Sequence, residues 1–258
     1  MTNKIENTGD ITTSRKIKEE IKAEELEKKE SKIIEFENVS KVFKDDFLAL
    51  SEITFSIKRG EFVSLVGPSG AGKSTIIKLI SAEEIPTSGN IFFDGNPLSQ
   101  ISRRKLPLYR RNMGTVFQDF KLLGKKTVFE NVAYALEVCG VSASEIEENV
   151  PQILDIVGLG DKMEKFPKHL SGGEQQKVAL ARALIHKPKV ILADEPTGNL
   201  DPASSVEIVE LLLKINELGT TIILASHDKE IVNKASRRVI FLDEGKIIGD
   251  LAKSKYKM

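Results

Sequence analysis

Nine residues constrain this chain more than any others: Gly67, Pro68, Ser69, Gly70, Ala71, Gly72, Lys73, Ser74 and Thr75. A glycine, four residues of any kind, then Gly-Lys-Ser/Thr is a spacing with a physical purpose. Glycines let the main chain turn tightly and aim several N–H groups at one anion. The lysine reaches the β- and γ-phosphates of a nucleotide, and the hydroxyl after it can ligate Mg²⁺. Such a loop works only between a strand and a helix, and both flanks are present. Glu61 to Val66 is an apolar run with β-branched residues. Ser74 to Ala82 spaces Ile76, Ile77, Leu79 and Ile80 as a buried helical face. The helix N-terminus adds its partial positive charge to the phosphate position. A plain glycine-rich turn is the competing reading, and the flanks weigh against it.

The chain has 258 residues, enough for one large domain or two modest ones. Lys+Arg and Asp+Glu each number 38, so the formal net charge is zero and gives no global reason to expect nucleic-acid binding. Cys139 is the only cysteine, which excludes an internal disulfide, suits a reducing cytosol and reads as a small buried hydrophobe. No apolar run approaches the roughly 20 residues that span a bilayer. The N-terminus is charged and lacks an apolar signal region, so work at a membrane requires docking onto a partner or the surface.

Residues 1–31 form a charged arm that reads as a solvated, frayed helix or a disordered segment, with Glu24/Lys28 and Glu25/Lys29 as weak helix-favouring pairs. The folded domain is expected over 32–251, with 252–258 as a tail. Strands are expected at Ile33–Val39, Ala49–Ile57, Glu61–Val66 and Asn90–Asp94, the last turned by Asp94-Gly95. Helices follow from about Leu106 to His186. Strands return at Val190–Asp194, Thr221–Ser226, Arg238–Leu242 and Lys246–Ile248, with a helix between the first two. Chemistry-bearing strands separated by helices imply an α/β fold with a mostly parallel sheet, interrupted by a helical block at about 106–186.

Two further stretches complete a nucleotide site. Val190-Ile-Leu-Ala-Asp194-Glu195 is an apolar strand ending in two carboxylates. Asp194 can hold Mg²⁺, and Glu195 can polarise an attacking water. In Leu170-Ser-Gly-Gly-Glu-Gln-Gln176, Ser171 and Glu174 have the spacing of a capping box, while Gly172 and Gly173 leave the first helical turn bare to an anion.

With this string the chain resembles the ATP-binding cassette superfamily, in which Leu-Ser-Gly-Gly-Glu/Gln is the signature. The resemblance implies a P-loop NTPase with a RecA-like, mostly parallel sheet, an antiparallel β subdomain and an inserted α-helical subdomain. It also implies an ATPase using ATP and Mg²⁺, working as a head-to-tail homodimer. The signature residues Ser171, Gly172, Gly173 and Glu174 of one copy would face the γ-phosphate held by the other. The remaining motifs fall in order. Gln118 resembles the Q-loop glutamine near the metal and the attacking water. Asp201 resembles the D-loop residue at the dimer interface, and fits equally as a helix N-cap before Pro202. His227 resembles the switch histidine, and Phe43 the aromatic against adenine.

The interval between Lys73 and Asp194 is too short for the coiled coils of chromosome-structuring cassettes, and only one cassette is present. A transporter-type nucleotide-binding subunit is left. Arg110-Arg111, Gln118-Asp-Phe-Lys-Leu-Leu123 and Ala193-Asp-Glu-Pro-Thr-Gly-Asn-Leu-Asp201 look most like the bacterial cell-division branch. Branches serving lipoprotein release and macrolide efflux share the last string and stay open, as does a nucleotide-gated scaffold. The resemblance implies a cytoplasmic protein, peripheral to the inner face of the plasma membrane through an integral membrane partner. Phe120, Leu122 and Leu123 are candidate contacts with that partner, or core residues of the helical block.

Overall fold

The computed structural model describes residues 31–252. The charged arm, but for Ser31, and the tail after Ala252 lie outside the described residues. In chain order the strands are β1 (Lys32–Val42), β2 (Leu48–Lys58), β3 (Phe62–Val66), β4 (Ser88–Phe93), β5 (Asn96–Pro97), β6 (Met113–Phe117), β7 (Val190–Asp194), β8 (Thr221–Ser226), β9 (Arg238–Asp243) and β10 (Lys246–Leu251). The helices are α1 (Lys73–Ile80), α2 (Leu106–Arg110), α3 (Val128–Glu137), α4 (Ala143–Ile156), α5 (Gly172–Leu184), α6 (Pro202–Glu217) and α7 (Lys229–Ala235).

Two sheets result. One is antiparallel, in the order β2-β1-β4-β5; the Asp94-Gly95 turn between its last two strands has both residues at positive φ, 54° and 73°. The other runs β10-β9-β3-β8-β7-β6. Its five strands from β9 to β6 are mutually parallel, and β10 closes one edge antiparallel to β9.

The stretch expected to be helical from Leu106 to His186 therefore contains a strand. Met113-Gly-Thr-Val-Phe117 pairs in register with β7, from Met113 opposite Val190 to Phe117 opposite Asp194. Five residues with Thr, Val and Phe suit a strand, and Gly114 has a steric role there. A Cβ on Gly114 would lie 2.1 Å from the Ala183 carbonyl oxygen, so α5 rests flush on β6. The helical insertion begins only after Phe117.

The central parallel strands are buried on both faces, so their sequences are near-continuous apolar runs rather than alternating. The period of two still sorts their side chains. Leu65, Leu192, Ile223 and Ile240 enter one core with α1 and the antiparallel sheet. Ile191, Ala193, Ile222 and Leu224 enter a second, with Leu180 of α5 and Ile208 and Leu212 of α6. The helical insertion has its own core, built from Val132 and Leu136 of α3, Val150 and Leu154 of α4, and Val178, Ala181 and Ile185 beside α5. No described helix is long and apolar enough to cross a membrane.

Candidate nucleotide site

The parallel register decides what meets at the site. Val66 lies opposite Ser226, and Ala225, Asp194 and Phe117 lie side by side across β8, β7 and β6. The residues that follow these strands, Gly67, His227, Glu195 and Gln118, are thus delivered to one edge, the carboxyl end of the sheet, where open α/β sheets bind ligands.

Gly67 leaves β3 at φ 155°, and a Cβ there would lie 2.1 Å from the Leu242 carbonyl oxygen. Gly72, at φ 104°, is the N-cap of α1; a Cβ there would lie 2.6 Å from Leu50 Cδ2. No side chain caps α1, so its first N–H groups suit an anion. Lys73 is buried and donates to the carbonyls of Gly67 at 2.8 Å and Pro68 at 3.0 Å, with the Glu195 carboxylate 3.7 Å away.

Ser74 Oγ donates to Asp194 Oδ1 at 2.9 Å. Burial pushes the Asp194 carboxyl above its ordinary range; the Ser74 bond opposes this, and the neighbouring Glu195 charge reinforces it. Glu195 sits at φ 49°, a left-handed conformation unusual outside glycine, and its N–H donates to the Ala225 carbonyl at 3.0 Å. Its Oε1 lies 2.9 Å from His227 Nδ1. An ionised carboxylate only accepts, so Nδ1 carries the proton in this pair. Gln118 Nε2 donates to Asn199 Oδ1, and Asn199 Nδ2 donates back to the Gln118 carbonyl, each at 3.1 Å. A cleft of about 420 Å³ opens among Ser74, Gln118, Asp119, Asp194, Glu195 and Asn199. A hydroxyl, a carboxylate and an amide carbonyl around one cleft are hard oxygen donors, the set that suits Mg²⁺.

The signature residues stand apart from this cleft. Ser171 caps α5 with both halves of the capping box present: Glu174 N–H donates to Ser171 Oγ at 3.3 Å, and Ser171 N–H donates to Glu174 Oε2 at 2.9 Å. Lys162 pairs with Glu174 and, with the Ser171 bond, holds its carboxyl below the usual range. Gly173 packs on Ser204, where a Cβ would meet Oγ at 2.6 Å. Asp201 caps α6, accepting from Ser204 N–H at 2.9 Å and Ser204 Oγ at 2.5 Å, with Pro202 in the first turn. None of Ser171, Gly172, Gly173, Glu174 or Asp201 lines the cleft beside Ser74. Phe43 sits apart as well, half-buried at the tip of the β1–β2 hairpin, with Lys41 Nζ 4.8 Å from its ring centroid.

The structure adds residues that the sequence reading passed over. Asn199 pairs with Gln118. Gln176 is fully buried and donates to the carbonyls of Phe117 at 3.2 Å and Pro196 at 2.6 Å, tying the signature helix to both strand ends. It lies inside the signature string, and a polar residue on the apolar face of that helix was its one signal. Of the candidate partner contacts, Leu122 packs against the helical core, while Leu123 is 37% exposed. Cys139 is half-buried rather than fully buried.

This fold and this edge define a phosphate-loop ATPase of the cassette type. Residues 50–198 match the ABC transporter family. The chain is 50% identical over 224 residues to the cell division ATP-binding protein FtsE of Bacillus subtilis, covering 87% of this chain and 98% of that one. It is 45% identical to FtsE of Escherichia coli K12 over 217 residues, 84% and 98% of the two chains. Among solved structures, cbiO1 of Clostridium perfringens, part of the ABC transporter complex cbiONQ, superposes with a TM-score of 0.80 at 35% identity over 86% of this chain and 88% of that one. A dimeric post-hydrolysis state of the ATP-binding cassette MJ0796, bound to ADP and Pi, gives 0.77 at 34% identity, over 86% and 100%. The chain belongs to the ABC transporter family and, within it, to the FtsE cell division ATP-binding proteins; it is an ATPase.

Proposed function

We propose that this protein is the ATP-hydrolysing subunit of a membrane complex in which two copies close around two ATP molecules and drive an FtsX-like integral membrane partner, controlling cell-wall hydrolysis during division. The observation that carries the dimer is the split site. Lys73, Ser74, Asp194 and Glu195 share one edge of the sheet, whereas Ser171 and Gly173 lie outside their cleft. A second copy arranged head to tail supplies the missing side. The dimeric MJ0796 cassette supports this arrangement. The FtsE relatives, named for cell division, support the process, and the ABC transporter family match supports a membrane partner. The complex places this protein on the cytoplasmic face of the membrane through its partner.

In this reading Lys73 leaves the Gly67 and Pro68 carbonyls for the β- and γ-phosphates, and the loop amides and α1 N-terminus hold the anion. Ser74, Asp194 and Gln118 would hold Mg²⁺, which would supply neutralising charge at the phosphates. Glu195 takes the proton from the attacking water. A γ-phosphate oxygen only accepts, so His227 would meet it by donating from a protonated Nε2 while Nδ1 donates to Glu195. Ser171 and Gly173 of the second copy stabilise the charge that develops there. Phe43 stacks on the adenine.

Glu195→Gln tests the base. Nucleotide affinity should hold and an ATP-bound dimer should accumulate, while turnover falls by about 10²–10⁴-fold. Normal turnover would remove Glu195 from that role. A second reading, a cassette for lipoprotein release or macrolide efflux, draws on the shared Ala193–Asp201 string. The membrane protein that co-purifies with the full-length chain separates the two.

A further inference from the structure

The loop after Gln118 is bent in a way its own residues resist. Phe120 and Lys121 lie consecutively in the left-handed region, at φ 56° and 47°, which is costly for residues other than glycine. Lys121 N–H donates to the Asp119 carbonyl at 2.5 Å, closing a three-residue turn over Phe120. With a positive central φ this is the rarer, strained form of that turn. Asp119-Phe-Lys-Leu-Leu123 holds no glycine that would select it.

The bend is held from outside. Arg182, in the last turn of α5, donates from Nη1 to the Lys121 carbonyl at 2.8 Å and from Nη2 to the Phe120 carbonyl at 3.0 Å. A planar guanidinium fork can satisfy two adjacent carbonyls at once; an ammonium cannot do so in that fixed geometry. Arg182 is half-buried and pairs with no carboxylate among the described residues, so these carbonyls are the acceptors that compensate its charge. The same helix grips the loop at two other points. Gln176 holds the Phe117 carbonyl, and the Phe120 ring comes within 3.8 Å of where a Cβ on Gly172 would sit.

We propose that Arg182 is a positioning residue for the ATPase. Its guanidinium holds Phe120 and Lys121 in the left-handed bend, and thereby sets where Gln118 enters the nucleotide cleft and which face the 120–123 segment turns outward. The inference rests on Gln118 acting in that cleft.

The test uses the full-length chain and four variants: Arg182→Met, Arg182→Lys, Lys121→Gly, and Arg182→Met combined with Lys121→Gly. Arg182→Met should keep ATP affinity within about twofold, because the Lys73 loop is untouched, while kcat falls about 10- to 100-fold, the scale of misplacing a reacting group. Hydrogen exchange should rise in residues 118–124 and stay unchanged at α1. Arg182→Lys should fall between the two. Lys121→Gly should restore at least half the turnover lost in Arg182→Met, because glycine accepts positive φ unaided. Unchanged kcat in Arg182→Met overturns the proposal. So does a loss that Lys121→Gly fails to restore and that accompanies faster exchange along all of α5, since that describes a helix-stability role. Gln118→Ala, assayed in parallel, separates the two readings. Normal turnover there refutes the role of Gln118 alone, and the clamp then stands or falls on the exchange at 118–124.

Discussion

Gly173 offers a way to separate packing from chemistry at the signature. An alanine Cβ at this position would lie 2.6 Å from Ser204 Oγ and 2.9 Å from Ser204 Cβ, both inside contact distance. Ser204 cannot rotate away freely, because its N–H and hydroxyl are held by Asp201. Overpacking of this kind costs about 1–3 kcal/mol. Alanine recovers about 0.8–1 kcal/mol over glycine inside a helix, so Gly173→Ala should destabilise the fold by about 0–2 kcal/mol. Ser204→Gly removes both clashing atoms. Urea denaturation of the parent, the two single variants and the double variant gives the coupling energy directly, and it should be about 1–3 kcal/mol. Additivity within about 0.5 kcal/mol would refute the contact. Turnover carries the second half of the test. In the double variant the fold recovers, but the methyl still covers the turn proposed to approach the γ-phosphate held by the other copy, so ATPase activity should stay low. If turnover returned together with stability, Gly173 would be a packing glycine, and its place in a composite site would be wrong.

Asp194→Asn should abolish turnover yet make the fold more stable at pH 7. The folded pKa of Asp194 lies above its ordinary value of 3.8, so folding favours the protonated form, and the charged form carries a penalty. That penalty is absent below the unfolded pKa and complete above the raised folded one, so the stability gain should shrink as denaturation is repeated at lower pH. Asn131→Ala should cost about 2–4 kcal/mol in urea denaturation, because several buried polar groups lose their partner together. Asn131 is fully buried; it accepts from Leu123 N–H at 2.8 Å and donates to the carbonyls of Leu123, Lys126 and Thr127 at 3.1, 3.1 and 2.8 Å.

What the sequence made legible was local. The capping box of Ser171 and Glu174 joins residues three positions apart, as does the Asp201 cap on Ser204; both form as their spacing implies. The apolar runs of β3, β7 and β8 were readable as strands for the same reason. A run that is apolar throughout carries no alternation, however, so adjacent Ile191 and Leu192 gave no sign that they enter opposite cores. β6 was lost inside a stretch expected to be helical, because five residues between helices are identified by their partner strand rather than by a period. In the site, Lys73, Ser74, Asp194 and Glu195 were fixed by motif spacing. Asn199 and Arg182 were not, since they act on residues 81 and 61 positions away, and no local pattern marks an amide pair or a guanidinium on two carbonyls.

Those long-range contacts converge on α5. Leu180 and Ala183 of this helix sit in the core under the parallel sheet, while Val178 and Ala181 sit in the core of the helical insertion. At its start Gly172 and Gly173 press on Asn199, Leu200 and Ser204; at its end Arg182 holds the loop after Gln118. Lys73 takes its position from β3 instead, whereas Glu195 follows β7 and its neighbour Pro196 accepts from Gln176 of the same helix. A load on the helical insertion would therefore reach the signature and the Gln118 loop through one rigid helix, before it reached the phosphate loop. In the proposed dimer, the half of the site offered to a second copy and the phosphate loop thus rest on different supports. In the proposed complex, a membrane partner acting on the insertion would use that division to control when the two halves meet.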